Sequence, residues 1–148
     1  MPTRSGPEQL VQTVCDAAAQ AAPPGWRRIT LRVWGTVVAY QAELEVVLAD
    51  GSRPAVPPPA ITHLLMPLRE QMYQPGRGTW LSARFELRAG EPPTAAFNYD
   101  DDPQWWPELP PAAFVRELQA FPRTEDHVRP WLRQALADAA ASAPEAGG

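Results

Sequence analysis

An α+β fold, with a central, mostly antiparallel sheet and helices packed on one face, is predicted from three observations. The elements read in the order helix, strands, helix, strands, helices. The strand segments form hairpin-like pairs separated by turn residues. The helical segments stand in blocks around those pairs instead of alternating with single strands. With 148 residues, the chain has about the modal size of one domain. A single domain is therefore expected over residues 5–141, with 1–4 and 142–148 as flexible ends.

The first helix starts at Ser5-Gly6-Pro7-Glu8. Ser5 is the expected cap, Glu8 completes a capping box, and Pro7 suits the first turn. Leu10, Val11, Val14, Ala17, Ala18 and Ala21 recur at helical spacing until Ala22-Pro23-Pro24-Gly25 ends the run. From Trp26 to Val33, Ile29, Leu31 and Val33 alternate with Arg28, Thr30 and Arg32, which marks a strand with one wet face. Trp34-Gly35-Thr36 reads as a turn or bulge, and Val37 to Leu48 as the next strand of an antiparallel meander. Asp50-Gly51 is a turn. After a proline-rich stretch, Ile61 to Met72 carries the apolar stripe Leu64, Leu65, Leu68 and Met72 of a helix.

Gln74-Pro75-Gly76-Arg77-Gly78 breaks that helix. Thr79 to Leu87 is a strand with Trp80, Ser82, Arg84 and Glu86 opposite Leu81, Ala83, Phe85 and Leu87. Ala89-Gly90-Glu91 turns the chain, and Thr94 to Tyr99 pairs back. Two helices follow, Pro111 to Ala120 and Glu125 to Ala141.

Apolar residues are 45% and charged residues 20% of the chain, an ordinary globular balance. No run reaches the ~20 apolar residues of a membrane span, and the first eight residues have no signal-peptide core. One cysteine, Cys15, excludes an internal disulfide framework. It reads as a small apolar residue on a helix. These features predict a cytoplasmic protein without a membrane partner. Every basic side chain is arginine, and prolines number 19. That composition is GC-rich and actinobacterial-like. The net charge of −4 shows no clustered basic face in sequence, which speaks against nucleic acid and suits a basic protein partner.

The most informative stretch is Phe97-Asn98-Tyr99-Asp100-Asp101-Asp102-Pro103-Gln104-Trp105-Trp106-Pro107. Three adjacent carboxylates repel one another, and two tryptophans between prolines are hard to bury. Asp100, Asp101, Asp102, Gln104, Trp105 and Trp106 are therefore candidate partner-binding residues, since acid beside large aromatics suits protein docking. The plain alternative is a solvated turn whose Asp side chains satisfy local amides. Arg77, between two glycines, is a weak anion-binding candidate and joins the partner-binding set. A tight helix-to-strand turn explains the same glycines. Trp26, Trp34, Trp80 and Trp131 read as core or half-core.

Enzyme signatures are weak. His63 and His127 accompany no nucleophile motif. Contiguous acids followed by Pro103 lack the alternation and glycine of a calcium loop. Adjacent carboxylates leave open a carbohydrate-active enzyme using the acidic Trp-lined loop, although such pairs are usually placed across a cleft by the fold. No catalytic residue, cofactor or metal site is expected.

The segment Gly78-Thr79-Trp80-Leu81-Ser82-Ala83-Arg84-Phe85-Glu86-Leu87, the ending Phe97-Asn98-Tyr99-Asp100-Asp101, the run Phe114-Val115-Arg116-Glu117-Leu118 through Phe121-Pro122-Arg123, and Pro130-Trp131-Leu132 together resemble the YezG-like immunity proteins. That family includes the immunity factor for tuberculosis necrotizing toxin. The resemblance spans residues 5–137 and is most specific over 97–132. It implies an α+β fold with a central antiparallel sheet and an antitoxin that binds a cognate secreted toxin domain. An NAD-hydrolysing (NAD glycohydrolase) toxin is the expected target, with a nuclease toxin as the alternative. The expected form is a monomer when free and a 1:1 complex with the toxin, whose active site it occludes.

Overall fold

The computed structural model describes residues 6–105 and 108–142. The expected Ser5 cap, the flexible ends beyond those bounds, and Trp106 lie outside the described residues. Alternation along one strand organises the sheet. β1 (Trp26–Gly35) pairs antiparallel with β2 (Tyr40–Leu48) on one side and β3 (Ser82–Arg88) on the other. β4 (Thr94–Asn98) lies outside β3, giving the order β2-β1-β3-β4. Ile29, Leu31 and Val33 stand between Val46, Leu44 and Ala42 of β2 and Leu87, Phe85 and Ala83 of β3. These rows form the apolar face, because successive strand side chains point to opposite sides. Arg32 faces the other way, between Glu43 and Arg84.

α1 (Pro7–Ala21) brings Val14, Cys15 and Ala18 to that face, and α2 (Thr62–Gln71) brings Leu65 and Leu68. Both stripes follow the helical period. α3 (Ala112–Ala120) and α4 (Pro130–Ser142) pack on each other, with Phe114 edge-on to Trp131 at 5.6 Å. They close the end of the sheet where β1 reaches its turn, and there Glu117 of α3 accepts the Val37 N–H at 2.7 Å. The α+β arrangement is the one predicted.

Several local expectations change. The strands form two hairpins joined through β1 and β3, not a continuous meander, so the connection through α2 passes from edge strand β2 to β3. Gly35 belongs to β1, and the turn falls at residues 36–39, closed by mutual Thr36 and Ala39 backbone bonds. A Cβ at Gly35 would meet Arg69 Cδ and the Tyr40 ring at 2.9 Å, so the glycine serves close packing there. β2 accordingly begins at Tyr40, not Val37.

Trp80 precedes β3 and is fully buried, in keeping with its reading as a core residue. The two-residue period starts only at Ser82, once the chain has left the Gly76–Gly78 turn. Gly6 stands at the N-cap of α1, with Pro7 at the first helical position. The last helix is also split. Glu125–His127 is a single 3-10 turn, and α4 starts at Pro130, whose fixed φ and missing N–H suit the first helical position.

Gly78 has φ +84°, and a Cβ there would lie 2.6 Å from Arg123 Nε. Gly51 has a similar φ of +85° with open space around it. Gly78→Ala should lower stability by about 1–3 kcal/mol in urea unfolding and clearly more than Gly51→Ala. Equal losses would show that strain alone, and not contact with Arg123, fixes this glycine.

Candidate protein-docking site

The acidic loop is held by its backbone. Asn98, the last residue of β4, accepts the Asp101 and Asp100 N–H groups through Oδ1 at 2.8 and 3.2 Å. Its amide nitrogen donates to Asp101 O at 2.9 Å and to Ser82 Oγ at 3.0 Å. Two indoles reach the loop from distant elements. Trp131 Nε1 of α4 donates to Asp100 O, and Trp34 Nε1 of β1 donates to Pro103 O, both at 2.7 Å. Pro103 is buried, and Asp102 Oδ1 caps the Gln104 N–H at 2.9 Å. Gln104 has φ +56°, the one positive value at a non-glycine among the described residues. With its carbonyls engaged inward, the loop presents the side chains of Asp101, Asp102 and Gln104 to solvent.

Asp100 behaves differently from its neighbours. Its Oδ2 faces Arg77 Nη2 at 3.3 Å and Arg129 Nη2 at 3.7 Å. The Arg77 guanidinium lies over the Tyr99 ring at 4.2 Å, and the Tyr99 hydroxyl donates to Met72 O at 2.8 Å. Burial pushes the Tyr99 hydroxyl above its ordinary pKa, with Arg77 pulling the other way. Arg77 thus sits beside the loop as its own counter-ion, in the tight turn set by Gly76 and Gly78, which both have positive φ. The structure therefore brings together Arg77, Asp100, Asp101, Asp102, Gln104 and Trp105. Two clefts flank this loop. One, of about 550 Å³, runs over Arg77, Asp100 and Arg129. The other, of about 460 Å³, opens between Trp105 and α4.

Sequence reasoning missed the supports of this shelf. Trp34 and Trp131 read as packing residues, and Arg129 was not singled out. It also missed a buried ion pair, Arg69 of α2 with Glu117 of α3. Arg69 Nε donates to Trp80 O at 2.9 Å, and its guanidinium lies 5.2 Å from the Phe121 ring centre. Burial pushes the neighbouring Tyr40 hydroxyl above its ordinary pKa, and Arg69 opposes that shift. Arg123 donates to Thr79 O and His127 O, both at 3.2 Å. A signal was present in the sequence. Arg69 falls on the same stripe as Leu65 and Leu68, and Glu117 on that of Ala113 and Phe114. Opposite charges on two apolar stripes are rare unless they meet.

Among the described residues, no group of three or more His, Cys, Asp or Glu side chains is arranged to hold a metal ion. His63 is exposed on α2. Cys15 is buried, and that burial, reinforced by Asp16, raises its thiol pKa to about 11. No described helix is long and apolar enough to cross a membrane. No protein-family model matches the chain, nor does any curated protein.

Proposed function

We propose that this chain is an immunity protein that binds a cognate toxin domain and occludes its active site. The observation that carries the reading is the locked acidic loop. A surface ordered before contact loses less entropy on binding, and an exposed acidic rim speeds capture of a basic partner. The residues that carry the resemblance to immunity proteins support the same reading. Asn98 and Trp131 bond the loop backbone, Tyr99 stacks under Arg77, and Arg123 ties the following segment to Thr79. The motif is thus scaffolding for the loop and needs no catalytic group.

The proposed target hydrolyses NAD, and the proposed setting is the cytoplasm of the toxin-producing cell. The free protein is proposed to be a monomer. Titration into the toxin domain encoded beside it, following NAD loss, should bring activity to zero at one equivalent. A stable complex with unchanged NAD loss would reject occlusion, and absence of any complex would reject the immunity reading for that partner.

A further inference from the structure

The cleft between Trp105 and α4 differs from its neighbour in charge. Beside it, Asp100 is already faced by Arg77 and Arg129. Here Asp102, Glu108 and Asp138 line the walls, and no Arg, Lys or His among the described residues does so. Asp102 is bonded by the Gln104 N–H and Asp138 by the Gln134 amide, both at 2.9 Å, so neither charge is neutralised by these contacts. The walls also carry aromatic surface from Trp105, Phe114 and Trp131. Trp131 is fixed by its bond to Asp100 O and its edge contact with Phe114. Trp105 Nε1 is buried and has no hydrogen-bond partner among the described residues.

We infer that this cleft receives an arginine side chain of a protein partner. A guanidinium is a planar cation that stacks on aromatic rings and forks to carboxylates, and its apolar stem suits the same walls. Three carboxylates without a local cation select positive charge. A cleft of about 460 Å³ has room for that side chain and part of its backbone. The inference rests on the toxin-binding reading for its biological partner and assigns that toxin an arginine at the contact.

The test needs no toxin. N-acetyl-L-arginine methylamide is titrated into the ¹⁵N-labelled protein while the tryptophan indole N–H resonances are followed. The Trp105 signal is assigned by its loss in Trp105→Phe. The expected result is a saturable shift of Trp105, with the uncharged citrulline counterpart at least about tenfold weaker. A Glu108→Gln/Asp138→Asn variant with an unchanged spectrum elsewhere should weaken arginine binding by a similar factor. Equal shifts with citrulline, unchanged affinity in the variant, or no Trp105 shift would each overturn the inference. Toxin inhibition without arginine binding would remove this contact and leave the immunity reading standing. Arginine binding without toxin inhibition would do the reverse.

Discussion

Glu117→Ala is expected to lower stability by about 3–5 kcal/mol, because it leaves a buried arginine unpaired. The Arg69 and Glu117 side chains are 1% and 2% exposed, so water cannot replace the lost partner. The substitution also removes the acceptor of the Val37 N–H. Three segments lose a common tie: α2, α3 and the turn after β1. Such a loss is a large fraction of the total stability of a typical domain. For a chain of this size it corresponds to a melting-temperature drop of about 6–20 °C. Adding Arg69→Met to Glu117→Ala should recover part of that drop, since two apolar groups leave no uncompensated charge. A drop of less than a few degrees in the single variant, or a further drop in the double, would refute the assignment.

Trp34→Phe/Trp131→Phe is expected to release the acidic loop while the sheet stays folded. Both phenyl rings keep part of the apolar surface; the substitutions lose the indole N–H and the second ring of each indole. Each lost bond to Pro103 O and Asp100 O contributes about 1 kcal/mol net. Order parameters for residues 100–105 should fall toward those of a flexible segment, below about 0.6. If the partner recognises the loop in its ordered form, the affinity should fall by up to about 30-fold, the equivalent of ~2 kcal/mol. Unchanged order parameters would show that the Asn98 cap alone holds the loop. A mobile loop with unchanged affinity would show that order at this loop does not serve binding.

What was legible in the sequence is what local pattern writes. The alternation of Ile29, Leu31 and Val33 with arginines gave the central strand and its apolar face. Asp50-Gly51, with φ +85° at Gly51, and the Gly76–Gly78 turn, with φ +85° and +84°, were readable as turns. The acidic loop was also recognisable as a surface feature. Its supports were not, because the Trp34 and Trp131 indoles donate to backbone carbonyls 69 and 31 residues away, and a carbonyl has no side-chain identity to read. Trp80 was readable as core, but the strand expected from Thr79 begins only at Ser82, because the Gly76–Gly78 turn precedes it. The Arg69–Glu117 pair spans 48 residues, and only the fold brings its members together.

We propose the ordered acidic loop as the surface on which a toxin domain docks. Amide hydrogen exchange of the protein, free and in complex with its toxin domain, tests it most directly. The expected result is new protection across residues 98–105 and along residues 134–138 of α4, with the Arg32–Arg84 side of the sheet unchanged. Protection confined to that side of the sheet, with the loop exchanging as in the free protein, would contradict it.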